Sequence, residues 1–385
     1  LSTASLLWEE TQRKLFAHDV LKTLYSPIKA FEEIVKKPDL KGPLLVLMLI
    51  LIITAGLQYT SSSKIFDEEP MTDRDEWTES TAWIPHWTSN GELTRDADAL
   101  VDSYAGNYSI ASSVANNTHI WMMLTGVGPF NCSRNAEYER LSFWIKWKYP
   151  NEILAPPNAT LKLFSDNSND CFKLDFGKRL SNSSNEWKIV KVDLGPDSEG
   201  WEGVSSPDWE NITRLEFRLA RSVPANLTMK IDDLYFAKFV SLTKYFFSGW
   251  FDSLAMSAFS FFIQWGVFGG VLLLVVRLFG ERVGSWKALL VVVGYLFSVR
   301  IVYLLVTAVL IPILPEVRFE NLAQMWYSTL PYQTILYFGF VSEVWMAALC
   351  AIAVRNFYAF TWKKTISIAI FASLLNFTLR PLIPI

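Results

Sequence analysis

The sequence predicts two folds in one chain: an α-helical bundle of five transmembrane helices, and an all-β sandwich inserted between the first and second spans. Three observations predict it. Long charge-free apolar runs lie towards both ends of the chain, the stretch between them alternates with period two, and Asn-x-Ser/Thr triplets crowd into that same stretch.

The spans come first because their chemistry is the least ambiguous. Gly42–Ser63 is 22 residues without a charge and Ser253–Val276 is 24. A hydrocarbon core of about 30 Å needs roughly 20 apolar residues per helix. Two further apolar runs are each interrupted by one central charge, and the chain ends in another. Spans are therefore expected at 43–62, 253–276, 288–312, 331–354 and 364–384. With 51% hydrophobic and 15% aromatic residues distributed this way, a soluble enzyme, a nucleic-acid binder and a porin-type barrel are not expected.

Basic residues set the expected orientation. Residues 1–42 carry seven Lys/Arg, the segment 277–287 carries Arg277, Arg282 and Lys287, and the last connection carries Arg355, Lys363 and Lys364. The opposite loop and the C-terminus hold Arg318 and Arg380. Thirteen against two puts the N-terminus in the cytoplasm and the C-terminus and the sandwich outside it. The expected organisation is cytoplasmic amphipathic helices over 1–42, a span at 43–62 and an acidic linker at 63–76. An extracellular sandwich at 77–240, a juxtamembrane segment at 241–252 and four spans within 253–385 complete it.

In the first segment, Ser26-Pro27 is an N-cap followed by Pro at the first helical turn. Ile28, Phe31, Ile34 and Val35 fall on one face and Pro38 stops the helix. Leu15, Phe16, Val20, Leu21 and Leu24 make a second amphipathic stretch. Such a pair lies at the membrane interface or against the span ends; the sharper alternative is a docking site for a cytoplasmic partner.

Between the first two spans, Leu141, Phe143, Ile145 and Trp147 alternate with Ser142, Trp144, Lys146 and Lys148. The same alternation runs through 161–163, 172–176, 190–194 and 215–219. Period two with turn residues between the runs means antiparallel strands with one buried face, hence a sandwich. Strict alternation puts Trp144 with the lysines, on the outer face. There it can stack on a sugar or a partner, or sit beneath a loop.

Seven of the eight triplets lie here, at Asn107, Asn116, Asn131, Asn158, Asn182, Asn211 and Asn226. They are glycosylation acceptors only on an extracytoplasmic surface; Asn376, inside the last span, reads as a chance match. Cys132 and Cys171 are the two cysteines of the stretch, and an oxidising space would permit a disulfide between them. Residues 61–247 hold 19 basic and 27 acidic residues, an excess that argues against docking on nucleic acid or anionic lipid.

Several pieces then carry a resemblance. Asn90-Gly91-Glu92-Leu93-Thr94, Gly106-Asn107-Tyr108-Ser109-Ile110, Phe143-Trp144-Ile145-Lys146, Val192-Asp193-Leu194, Leu215-Glu216-Phe217 and Ile231-Asp232-Asp233-Leu234-Tyr235-Phe236 follow one another in order. That order resembles galactose-binding-like jelly rolls, a group that includes many carbohydrate-binding modules. The resemblance implies sugar binding and one structural calcium, with Asp233 as a ligand and Asp96 or Asp98 as partners. The alternative for Asp233 is a carboxylate capping a turn.

In the spans, Arg300 and Glu343 are the costly residues, because a charge at bilayer centre costs at least about 2.5–3.5 kcal/mol unless it faces protein or water. Arg300 is thirteen residues beyond Lys287, and Glu343 twelve before Arg355. At 1.5 Å per residue both lie roughly 20 Å from one face. The expectation is an Arg300–Glu343 ion pair that fixes helix register; a proton or ion path is the alternative.

A second resemblance is to the Yip domain family of five-span membrane proteins. It rests on Ser26-Pro27 with Ala30-Phe31, Ile34 and Pro38 before the first span, then Gly280-Glu281-Arg282-Val283-Gly284-Ser285-Trp286-Lys287, then Val293-Gly294-Tyr295. The Asp-Leu-Tyr-Gly-Pro motif of eukaryotic trafficking members, which bind Rab-type GTPases, is absent. The family's first external loop is short, so the jelly roll resembles an insertion. Glycosylation beside a domain of this type suggests an archaeal cell surface.

No catalytic set is legible: His18, His86 and His119 lack neighbouring nucleophile signatures, and there is no phosphate-cradling Gly loop, no His-Glu-x-x-His and no zinc or haem Cys pair. The expected function is non-enzymatic: a membrane-anchored surface or scaffold protein whose sandwich binds glycan or a protein partner. An accessory subunit of a larger membrane complex is the alternative, and a transporter or channel a lesser one. Beyond the calcium, no cofactor is expected.

Overall fold

The computed structural model describes residues 17–100, 106–134, 138–149, 158–165, 170–180, 185–279 and 285–379. The chain divides into two compact units, Glu68–Val240 and the flanking segments Leu1–Asp67 with Ser241–Ile385.

The middle unit is built on antiparallel strand pairs. Two long strands, β4 (Ser109–Phe130) and β10 (Ile212–Ser241), run side by side, with pairs from Ile212↔Phe130 to Ile231↔Ile110. Both are irregular near 115–118 and 221–226, where the register shifts and the residues are largely exposed. On one side of that bend β10 pairs with β6 (Asn158–Phe164), then β7 (Cys171–Asp175) and β9 (Trp201–Val204), while β4 pairs with β2 (Trp87–Ser89). On the other side β10 pairs with β5 (Arg140–Lys148), then β8 (Lys188–Asp193), while β4 pairs with β3 (Glu92–Asp96).

The two halves face each other. Phe143 of β5 meets Phe217 of β10 edge to face at 4.9 Å, and Leu141, Ile145, Trp147, Leu161, Leu215 and Met229 are buried in the same core. Burying alternate residues against a second sheet explains the period-two pattern. The expected linker 63–76 is not free chain: Ile65–Pro70 forms strand β1. Its Glu68 accepts from Lys191 (2.6 Å), Tyr235 (2.9 Å) and Arg140 (3.2 Å). Burial pushes the Glu68 carboxyl up, but those three groups outweigh it and hold it below the usual range.

The helical unit begins with α1 (17–25) and α2 (Pro27–Lys36), the latter with Pro at its first turn as expected. Four helical stretches among the described residues are long and apolar enough to cross a membrane: Lys41–Lys64, Leu242–Leu278, Trp286–Ile313 and Leu330–Tyr358. The first is α3, and the second is mostly α4 (Phe246–Leu278), so the expected juxtamembrane segment is largely helical. The third is two helices, α5 (Trp286–Leu296) and α6 (Ser298–Leu310), which meet at Phe297 where the Arg300 N–H turns to the Phe297 carbonyl at 3.0 Å. The fourth is α7 (Leu330–Tyr358). The last expected span contains α8 (Trp362–Leu379), 18 residues that include Lys363, Lys364 and Asn376; residues 380–384 lie outside the described part.

Small residues let these helices approach. A Cβ on Gly42 would collide with the Tyr295 hydroxyl, and one on Gly294 would lie 2.5 Å from Pro43 Cβ. Val293-Gly294-Tyr295 is therefore a packing device: Gly294 admits Pro43 of α3, and Tyr295 fits over Gly42. The Trp265 indole N–H adds a 2.7 Å bond to the Leu290 carbonyl.

Candidate functional site

The outer face of the β5 sheet is polar and mostly occupied. At one end, buried Arg140 bonds Asp193 (3.0 Å) and Glu68, so that corner is closed. At the other, Lys230 bonds Asp96 (2.7 Å) and Asp98 (2.9 Å), and Lys146 bonds Asp98 (2.9 Å). Although burial pushes the Asp96 and Asp98 carboxyls up, hydrogen bonds from these lysines outweigh it and hold both low. Between the two networks lies Trp144, half-buried, opposite Asp232 on β10 and Ile189 on β8. Ile189 is 42% exposed, one of few large apolar side chains of this unit to face solvent. Trp144 with Ile189 is the apolar patch on this face.

The calcium expectation meets different chemistry. Asp233 has φ +46° at a bulge between the Asp232 and Tyr235 pairs. The bulge re-aims its carboxylate, which is gripped by both arms of the Arg74 guanidinium, with Nε at 2.9 Å. Asp96 and Asp98 are held elsewhere by Lys230 and Lys146, so the three carboxylates do not converge. Among the described residues no group of three or more His, Cys, Asp or Glu is placed to hold a metal ion.

The carboxylate that sequence reading missed is Asp232. It accepts from the Leu100 N–H (2.7 Å) and the Asp233 N–H (2.9 Å) and faces Asp75, which itself accepts from the Gly106 N–H at 2.5 Å. Burial, with the Asp75 carboxyl beside it, pushes Asp232 up to about 8.

The disulfide expectation is corrected: Cys132 and Cys171 are both buried free thiols. Alternation along β7 explains it. Phe172 stacks on Trp209 at 3.8 Å, and the Trp209 carbonyl accepts from the Cys132 N–H at 2.6 Å. Cys132 and Phe172 are both buried in the sandwich core, whereas Cys171, one residue before Phe172 on β7, points to the opposite face. Burial pushes both thiols up.

Of the acceptor asparagines, Asn107, Asn116, Asn131, Asn158 and Asn226 are exposed and Asn211 is half-buried; Asn182 lies outside the described residues.

In the helical unit, Arg300 and Glu343 line one pocket, with room for about one water. Gln264 and Asn376 line it too, between Phe297 and Met346. Arg300 donates to Gln264 Oε1 at 2.5 Å, and Gln264 passes the chain on to Ser260 at 2.9 Å. Four helices thus each supply one polar side chain to one place. Asn376, set aside in the sequence as a chance triplet, is one of them; its signal was a carboxamide inside an apolar run.

Comparisons with known proteins follow the same division. No curated protein matches the chain. Among solved structures, the chain is similar to an arabinose-bound α-L-arabinofuranosidase at 12% identity, with 44% of this chain and 25% of that one covered and a TM-score of 0.29. It is also similar to a family 11 carbohydrate-binding module from Clostridium thermocellum in complex with a β-1,3-1,4-mixed-linked tetrasaccharide (13% identity, 45% and 95% covered, TM-score 0.28). A third is the xylan-binding CBM22-1 domain of a Paenibacillus barcinonensis protein (11% identity, 46% and 97% covered, TM-score 0.25). The chain spans only a quarter of the length of the arabinofuranosidase. Residues 223–379 match the Yip1 domain, from within β10 to the end of α8. Over that stretch the chain is similar to the Yip1 domain, and its four long apolar helices among the described residues are those of a multi-pass membrane protein.

Proposed function

We propose that this is a non-enzymatic, membrane-anchored surface protein whose β-sandwich stands on the extracytoplasmic side and binds glycan, or failing that a protein partner. The observation that carries it is the Trp144–Ile189 patch, an aromatic ring on a polar face between two occupied ion-pair networks. A half-buried Trp suits a sugar ring, whose apolar face stacks on the indole while its hydroxyls reach neighbouring polar groups. Exposure of five acceptor asparagines supports the extracytoplasmic side, as does the distribution of Lys/Arg.

Within the bundle, Arg300 and Glu343 act as a structural ion pair, with Gln264 and Asn376 completing their polar shell; α8 is the fifth span. The test is a glycan array probed with the purified protein. Saturable binding lost in Trp144→Ala supports sugar recognition; a flat array sinks it and leaves a protein partner. Native mass measurement then separates a lone protein from an accessory subunit of a larger complex.

A further inference from the structure

The α1–α2 arm has two apolar faces, and among the described residues one of them packs inside the protein. Val20, Ala30, Phe31 and Ile34 are buried in the core of the helical bundle. Thr23 bonds Ser298 at 3.1 Å, and Asn356 donates to the Ile28 carbonyl at 3.0 Å, which ties the arm to the C-terminal end of α7. Leu21 and Tyr25 point the other way and are 60% and 68% exposed; Ile28 follows at 49%. Leu21 and Tyr25 share one face of α1 at i, i+4 spacing, and Ile28 opens α2 just beyond the break at Ser26.

The surroundings say what covers these side chains. At this end of the bundle, described residues 17–41, 277–279, 285–287 and 355–364 hold ten Lys/Arg against four carboxylates. At the other end, residues 59–67, 241–252 and 314–330 hold three against four. Next to the arm, Arg355 lies over the ring of Trp362 at 4.1 Å and Lys364 over Phe360 at 4.4 Å, with Trp362 still 41% exposed. Cations paired with half-exposed aromatic rings at a span end are the chemistry of the headgroup boundary. Leu21, Tyr25 and Ile28 beside half-exposed aromatic rings make an apolar patch of the kind that marks a membrane or protein contact.

We propose that the arm is an interfacial anchor seated in the anionic leaflet at this end of the bundle. Leu21, Tyr25 and Ile28 enter the acyl boundary, and Lys29, Lys363 and Lys364 engage lipid phosphates. Each basic group near such a surface contributes attraction that salt screens. The site is independent of anything the sandwich binds.

Two measurements on the full-length protein test it. In nanodiscs of phosphatidylcholine alone or mixed equally with phosphatidylglycerol, the anionic lipid raises the melting temperature by roughly 5 °C. That gain disappears in K29Q/K363Q/K364Q and at high salt. An equal melting temperature in both lipids, or an undiminished gain in the triple variant, overturns the charge half. For the apolar half, a spin label at Leu21→Cys in a background with the three native cysteines replaced by Ser becomes accessible to oxygen and shielded from a nickel chelate. Accessibility to the chelate would place the patch in water, and shielding from both would place it under protein; either result overturns the anchor.

Discussion

The two units of this chain treat apolar surface in opposite ways. In the sandwich, the large apolar side chains exposed among the described residues are Ile189, Val204 and Val223. In the helical unit they are many, from Met48 and Ile52 on α3 to Phe340 on α7 and Phe371 on α8. The sandwich is built against water, so burying apolar area supplies most of its stability. The bundle is built against a solvent as greasy as its own side chains. Its specificity must come from close approach at small residues and from shared polar groups. Gly42, Gly294 and the Arg300–Glu343 pocket are those features.

That contrast can be broken most forcefully in the sandwich core. Phe217→Ala removes a fully buried ring that contacts Phe143 and Trp87, and about 3–5 kcal/mol of stability should be lost. Denaturant unfolding followed by near-ultraviolet circular dichroism measures it. In the bundle, the counterpart adds atoms instead of removing them. Gly42→Ala should cost about 1–3 kcal/mol, because the Tyr295 ring must move. Gly249→Ala, where a Cβ meets nothing within 4 Å, should leave the melting temperature in detergent unchanged. Equal effects of the two alanines would remove close approach as the organising device.

The polar pocket sharpens the comparison next. If Arg300 and Glu343 are paired, Glu343→Gln alone should destabilise more than Arg300→Leu combined with Glu343→Leu, because the single change leaves one charge without its partner. Thermal scans of the three proteins decide it. The last test is a pH dependence confined to the sandwich. Asp232 holds its proton to about 8 when folded but only to about 3.9 when unfolded. The folded state therefore binds the extra proton between those values, and stability should fall as pH rises from 4 towards 8. Asp232→Asn should flatten that slope while leaving the bundle untouched.

How much of this was legible follows the same division. On β5, alternation identified the buried Leu141, Phe143, Ile145 and Trp147, because a sheet between water and core sorts its residues by face. The bulge at Asp233 was not legible. One extra residue buries both Asp232 and Asp233 where alternation would bury one, and Arg74 lies 159 residues away in sequence. In the bundle, length and charge marked the apolar stretches but not their insides. The break at Phe297 sits within an unbroken apolar run, and nothing in composition separates Gly42, pressed on Tyr295, from Gly249, which touches nothing. Asn376 joins Arg300 and Glu343 only through the packing of α8, which no local pattern encodes.

The most direct test of the partition is a membrane-impermeant protease added to intact cells, followed by mass spectrometry of the released and retained peptides. The account predicts that residues 68–240 leave the cell as a fragment bearing glycan on Asn107, Asn116 or their neighbours, while α3 and α4–α8 stay with the membrane. A middle unit that survives intact on treated cells, with its asparagines unmodified, would contradict it.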